Sequence, residues 1–336
     1  MKNTQVIQLM SIVRLSIFML GITMMSCNSK KEQQLPAIGK SVALFDYFSY
    51  KGNDDFYISN PLSDEDYFYN PILPGWYSDP SVCTNGEGDY FLVTSTFTYF
   101  PGVPIFHSKD LVNWKQIGHV LNRASQLVNM EGQKVSGGIF APAISYNPYN
   151  KTYYMVTTNV GAGNFFVKTQ DPFGEWSEPV MLPEVGGIDP SFFFDEDGKA
   201  YIVNNDEAPD NKPEYSGHRT IRIQEFDVKT DKTVGPRKIL VNKGAQPADK
   251  PIWIEGPHLY KINGKYFLMS AEGGTGNWHS EVIFCGDSPM GKFLPWKNNP
   301  ILTQRHLNSD RPNSVTCAGH ADLIQTKEGD WWAVFL

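Results

Sequence analysis

The chain has 336 residues, 41% hydrophobic and 19% charged, with a formal net charge of −7 and a pI near 5.5. That length is ample for one large core or two small ones. No basic block follows the N-terminal region, which excludes a nucleic-acid footprint, and mild acidity suits a neutral substrate such as a sugar. Gly (29) and Pro (23) are plentiful and aromatics reach 13%, a balance that favours many turns over long helices.

The first residues differ from the rest. Lys2 and Arg14 precede the apolar run LSIFMLGITMM (15–25), then Ser26-Cys27 and the polar NSKKEQQ. Basic, apolar, then small is the layout of a secretory signal, and the run is too short and one-sided for a good spanning helix. A small residue immediately before Cys27 resembles a bacterial lipoprotein cleavage site, although Met24 and Met25 are looser than the usual pattern. The expectation is a lipoprotein-type signal peptide over 1–26, lipid on Cys27, and a tether with an N-terminal extension over 27–66. The protein would be exported and held at a membrane by the lipid alone. An ordinary signal peptide with an incidental cysteine is the alternative. Cys83, Cys285 and Cys317 are odd in number, far apart and without metal-ligand spacing. All three sit beside apolar residues and read as buried core thiols.

From about Tyr67 the text is periodic. GEGDYFLVTST (86–96), YNKTYYMVTTN (149–159), EDGKAYIVNN (196–205), INGKYFLMSAE (262–272) and KEGDWWAVFL (327–336) each place Asn, Asp or Gly turn residues before an apolar, β-rich run. That is a strong hairpin signal. Upstream of each lies another short strand: DPSVCT, APAISYN, DPSFFFD, GPHLYKI and GHADLIQT. Several copies add a third strand and a Trp-bearing end; the third copy diverges to IRIQEFDVKTDKTVG. Equivalent positions are Asp79, Ala141, Asp189, Glu255 and Gly319, in steps of 62, 48, 66 and 64 residues. All-β units at this period predict an all-β, five-bladed β-propeller over 67–336. A two-sheet sandwich explains the strands but not the repeated order. The fifth unit stops at Leu336 after its second strand, so the fifth blade is expected to be incomplete. Either the N-terminal segment supplies strands or the chain is a fragment of a longer one.

In a propeller the innermost strand of each blade starts near the axis, so the five junctions converge. They carry Asp79 (YSDPS), Phe140 (GIFAPA), Asp189 (GIDPS), Glu255 (WIEGP) and His320 (AGHAD). Asp79 stands without another charge between Tyr67 and Val82. Glu255 follows Ile-Trp-Ile, and burial there should raise its pKa, as a general acid requires. Two carboxyls facing across a sugar bond are the minimal glycosidase machine, and the aromatics could stack on sugar faces. A sugar-binding propeller without chemistry fits the same residues. His258 and Glu272 read as structural neighbours of the site, and NDEAPD (205–210) as a solvated loop rather than a cation site.

At these residues the sequence resembles glycoside hydrolase family 43, its β-xylosidase branch above all. The matching text runs from NPILPGWYSDPS through STFTYFPGVPIFHSKDLVNWKQIGHVL, SGGIFAP, GIDPSFFFDEDGKAYIV and IEGPHLYKINGKYFLMSAEGGT to GHADLIQTKEGDWWAVFL, over residues 68 to 336. The resemblance implies a five-bladed propeller and exo-acting hydrolysis with inversion. It makes Asp79 the general base, Glu255 the general acid and Asp189 the group that tunes Glu255. It makes Phe97 and Phe140 walls of the sugar pocket, with Phe140 replacing the common tryptophan of GGIWAP. His320 would stand near the axis beside a calcium ion or water, orienting water or substrate; a core histidine satisfied by backbone is the alternative. No cofactor is required, a structural calcium near the axis being the one candidate. The implied partners are xylo-oligosaccharides or arabinoxylan fragments, with no nucleic acid. α-L-arabinofuranosidase is the close alternative activity, and a binding propeller silenced by truncation is the alternative of another class. Relatives continue past WWAVFL with a substrate-contacting arginine, and many add a β-sandwich domain.

Overall fold

A computed structural model of the chain describes residues 55–63, 67–308, 310–312 and 314–336. The expected leader over 1–26, Cys27 and most of the 27–66 extension lie outside these residues. The chain divides into two units, Met1–Pro61 and Leu62–Leu336. The first contributes one described element, the short helix α1 (Asp55–Ser59), which buries no residue. Everything below concerns the second.

That unit is all-β, and four of its sheets carry four consecutive antiparallel strands in simple order. The first holds β1 (Ser81–Thr84), β2 (Tyr90–Val93), β3 (Gly102–Ser108) and β4 (Lys115–Leu121). The second holds β5 (Ala143–Asn147), β6 (Thr152–Asn159), β7 (Gly163–Thr169) and β8 (Val180–Met181). The third holds β9 (Ile188–Phe194), β10 (Ala200–Glu207), β11 (Arg219–Asp227) and β12 (Lys232–Asn242). The fourth holds β13 (Glu255–Ile262), β14 (Lys265–Glu272), β15 (Ser280–Gly286) and β16 (Phe293–Pro295), and β17 (Leu302–Thr303) also pairs with β15. A fifth sheet has two described strands, β18 (Asp322–Gln325) and β19 (Trp331–Val334). Local chemistry makes these hairpins. Asn263 and Gly264 both have positive φ, 51° and 75°, and join β13 to β14 through the Ile262–Lys265 pair. That is the two-residue turn whose twist matches that of the flanking strands. The third sheet, where the sequence diverges, still completes its four strands, with register shifts along β12.

Apolar residues lie between sheets. Val93, Ile105 and Val120 of the first sheet pack with Ile144, Met155 and Val167 of the second. Tyr154 and Phe166 of the second meet Phe192, Ile202 and Phe226 of the third. Val203, Ile221 and Ile223 of the third meet Leu259, Leu268 and Phe284 of the fourth. Ile324 and Val334 of the two-stranded sheet pack on Val82 and Tyr90 of the first. The sheets thus follow one another around an axis, a propeller arrangement with four complete four-stranded blades. Of the three thiols only Cys83 is buried; Cys285 and Cys317 are partly exposed, because they sit outside the wedges between sheets.

Hydrogen bonds between innermost strands run all the way round. Ile144 N–H donates to Ser81 Oγ (3.1 Å) and Ser81 Oγ–H to Asp322 Oδ2 (2.7 Å). Ser145 Oγ–H donates to Phe192 O (3.1 Å) and Ser191 Oγ–H to Pro257 O (2.5 Å). Tyr260 O–H donates to Asp322 Oδ1 (2.7 Å), which returns the circle to β18. Asp322 also accepts Val82 N–H (2.9 Å) and is 4% exposed, so it joins the first, fourth and fifth sheets. Its removal strands three buried donors. Asp322→Ala is expected to lose about 2–4 kcal/mol in urea unfolding, against about 1 kcal/mol for Ser145→Ala; equal losses would contradict the role of Asp322 as the closing bond.

Candidate active site

Each charged side chain of the site sits where an innermost strand begins. Asp79 precedes β1 by two residues, Asp189 is the second residue of β9, Glu255 opens β13, and His320 precedes β18 by two residues. Asp79, Asp189 and His320 have φ of 53°, 52° and 50°, and Gly256 has 55°. This left-handed region is uncommon for side-chain-bearing residues but several-fold enriched in Asp and His. At Gly256 a side chain is also excluded by space, since a Cβ there would stand 2.8 Å from His320 Nε2.

Asp79, Asp189, His258 and His320 line one small hollow open to solvent, with Ala141 and Ser191 on its wall. Asp79 Oδ2 accepts Ser95 Oγ–H (2.6 Å), while Oδ1 lies 3.7 Å from His320 Nδ1. Asp189 is 6% exposed and its Oδ2 accepts the Gly256 N–H (3.2 Å). Through that bond the carboxyl of Asp189 fixes the peptide immediately after Glu255. Glu255 itself does not line the hollow but stands at its edge, through Gly256.

The electrostatics join the three acids. Burial raises the Asp189 carboxyl above the usual range; charge on His320 opposes this, while negative charge on Glu255 and Asp79 adds to it. Burial likewise pushes Glu255 up, to about 7, with the charge of Asp79 adding and that of Arg219 opposing. Carboxyls this close to one another cannot all ionise cheaply, so protons are retained near neutral pH. Of the preceding Ile-Trp-Ile only Ile254 is buried; Ile252 and Trp253 are 39% and 36% exposed. Burial raises the acid as expected, although two of the three residues before it are themselves partly exposed.

Phe97 and Phe140 are brought together, ring centroids 6.0 Å apart, by reciprocal backbone bonds between Phe97 and Ile139 (2.8 and 2.9 Å). Ser95, bonded to Asp79, lies two residues before Phe97, so the aromatic pair is beside that acid. Trp76 stacks on Phe97 at 5.6 Å and Tyr99 meets Trp76 edge-on at 5.0 Å, which extends the wall outward.

Ser95 and Arg219 were not legible as site residues. Ser95 sits just beyond β2 and Arg219 opens β11, so each reaches the site only through the register of its sheet. His258 is near Asp322 (3.5 Å), and burial pushes its imidazole pKa down. Glu272 is buried and accepts Ala245 N–H (3.1 Å), a structural bond. The 205–210 stretch is not a solvated loop throughout. Asn205 and Asp206 are buried in β10, and Asp206 is ion-paired by Arg222 (3.0 Å) and Arg237 (2.8 Å).

A calcium ion near the axis would need oxygen ligands. Beside His320, both Asp322 oxygens are taken by Ser81, Val82 and Tyr260, and Glu281 Oε2 by Ala321 N–H. Among the described residues no group of three His, Cys, Asp or Glu is placed to hold a metal.

Comparison with known proteins agrees with the geometry. Residues 68–336 match the glycosyl hydrolases family 43. A xylosidase/arabinosidase of Butyrivibrio fibrisolvens is 47% identical over 80% of this chain and 50% of its own length. A non-reducing end α-L-arabinofuranosidase of Bacteroides ovatus is 42% identical over 80% of this chain and 47% of its own. The crystal structure of a GH43_12 protein from a capybara gut metagenome superposes with a TM-score of 0.79 at 53% identity, over 85% of this chain and 52% of that one. The chain therefore spans about half the length of these relatives. By its matched residues, its fold and the likeness of its sequence, the chain belongs to glycosyl hydrolase family 43.

Proposed function

We propose that this chain is the catalytic part of an inverting, exo-acting glycosidase that removes xylose from xylo-oligosaccharides. The observation that carries the reading is that Asp79 and Asp189 line one hollow while Asp189 holds the Gly256 peptide immediately after Glu255, whose proton affinity is raised to about 7. The two-stranded β18–β19 sheet then corresponds to the inner half of a fifth blade.

In this mechanism Asp79 takes a proton from water as the water oxygen attacks the anomeric carbon. Glu255 gives its proton to the glycosidic oxygen, the C–O bond breaks, and the sugar leaves with inverted configuration. An inverting pair needs about 6.5–9.5 Å between carboxyls to hold that water. Ser95 occupies Asp79 Oδ2, which leaves Oδ1, the atom nearer His320, for the water. Asp189 biases Glu255 toward its protonated form, since like charges disfavour joint ionisation. Phe97 and Phe140 form the apolar wall for the sugar ring. α-L-arabinofuranosidase activity is the second reading, favoured by the activity printed for the Bacteroides ovatus relative. We also propose that the protein is exported and anchored through lipid on Cys27. Cys27→Ala is then expected to move it from the membrane to the soluble fraction; unchanged fractionation would refute the anchor.

The activity test compares nitrophenyl β-xyloside, nitrophenyl α-arabinofuranoside and xylobiose. The β-xyloside should be preferred, and cleavage of neither nitrophenyl sugar would favour a binding module. Glu255→Gln should lose roughly 10²–10⁴-fold on xylobiose and much less on the nitrophenyl sugar, whose leaving group needs little protonation. Asp79→Asn should lose activity on both. Full xylobiose activity in Glu255→Gln would remove the acid assignment. Stability gives a separate test. The folded proton affinity of Glu255, about 7, exceeds the unfolded value of about 4.3, so the folded state binds more protons between them. The burden of a buried charge is absent at low pH, grows through that window and is complete above it. Glu255→Gln should therefore match the parent near pH 4 and exceed it by on the order of 2 kcal/mol at pH 8 in urea unfolding; a variant less stable at pH 8 would contradict the raised affinity.

A further inference from the structure

Arg219 is the cation whose charge acts on the proposed acid. It opens β11 opposite Glu207, the last residue of β10, and the two side chains form an ion pair. Its guanidinium carbon lies 4.3 Å from the centroid of the Trp253 ring, within the range of a cation–π contact. Trp253 is itself fixed, with φ of 53° and its N–H donated to Gly217 O at 2.8 Å. It stands two residues before Glu255. The Arg219 side chain is 18% exposed and its Glu207 partner 52%, so the pair is largely covered at its Arg219 end and open to solvent at the other.

We propose that Arg219, clamped between Glu207 and the Trp253 ring, is a positioning residue for Glu255, supplying the counter-charge that receives the carboxylate once its proton has passed to the leaving sugar. The proposal rests on the reading of Glu255 as general acid. Asp79 and Asp189 press the other way on the same wall, both anionic when ionised, and His320 approaches from the β18 side. The neighbouring Lys243 is held away by Glu214 (2.7 Å). Arg219 is the cation whose charge lowers the proton affinity of Glu255. Without it, burial and the charge of Asp79 would hold the proton more tightly on Glu255 and would leave the resulting carboxylate without that counter-charge. A planar guanidinium suits this place, since it can lie on an indole face while its edge meets two carboxylates. The sequence hides the assignment: Arg219 lies 36 residues from Glu255, in the copy whose text diverges.

The test reads Glu255 directly in the full chain. Glutamate labelled with ¹³C at the δ carbon gives a carboxyl signal for Glu255, assigned by its loss in Glu255→Gln. Arg219→Met should raise its titration midpoint by about one pH unit, and Arg219→Lys should restore most of the difference. Glu207→Gln, at a half-exposed position, should move it the opposite way by removing a competing anion. On xylobiose, Arg219→Met should lower kcat about tenfold with KM little changed, and the alkaline limb of the pH profile should follow the carboxyl midpoint upward. A midpoint unmoved in Arg219→Met or in Glu207→Gln, with Glu255→Gln inactive on xylobiose, would overturn the role of Arg219 and leave the acid assignment standing. Full xylobiose activity in Glu255→Gln would overturn both. Should Arg219→Met fail to fold, Glu207→Gln still decides.

Discussion

The structure turns on a backbone conformation that few residues tolerate. At the start of three innermost strands the chain takes a left-handed step, at Asp79, Asp189 and His320, and at Gly256 it takes the same step beside Glu255. A step of this kind reverses the side-chain direction that an extended strand would impose, and it turns polar groups toward the axis instead of into the wedges between sheets. Such conformations cost of order 1–3 kcal/mol each and persist where surrounding structure over-determines them. Here the over-determination is visible. Ser95 holds Asp79, Asp189 holds the Gly256 peptide, and the inner-strand hydrogen bonds hold the ring. Asp-Pro-Ser recurs at two blades because Asp is among the few residues suited to the step, and because Pro80 immediately precedes β1 and Pro190 lies at the irregular start of β9, where a missing N–H is tolerated.

Gathering acids on an axis has an electrostatic consequence. Carboxyls that share an enclosed hollow compete for ionisation, and the ones with least water keep their protons. Asp189 and Glu255 are both pushed upward by burial, whereas Asp79 has the Ser95 hydroxyl on one oxygen. In the proposed mechanism a raised carboxyl at Glu255 is what a proton donor working near neutral pH requires. Arg219 limits how far the donor rises. Too low an affinity would empty Glu255 of its proton at neutral pH, and too high an affinity would keep the proton from the leaving oxygen.

Much of this was legible in the sequence, and the part that was not has a physical reason. Strands and turns are local: the Asn263-Gly264 turn and the aromatic run after it specify a hairpin without reference to the rest of the chain. The junction acids were legible because the repeat places them at equivalent points. Ser95 and Arg219 were not, since each acts from a strand one or two places out from the axis. Whether such a residue reaches the site depends on register between strands, and register is not written beside the residue. The text of β11 and β12 diverges from the other copies, yet it forms the two outer strands of its blade. Its alternating IRIQEF buries one face while the other is partly exposed, and the strand pairs as well as its counterparts. The raised proton affinity of Glu255 was legible from its apolar context, and burial is its largest cause.

The account treats the three acids as one inverting machine, with water activated by Asp79 and no sugar ever bonded to the protein. Proton NMR of the sugar released from a β-xyloside, recorded before the anomers equilibrate, tests this most directly. The account predicts that α-xylose appears first. Initial release of β-xylose would require a nucleophilic carboxylate and a covalent intermediate, and would contradict the roles assigned to Asp79 and Glu255.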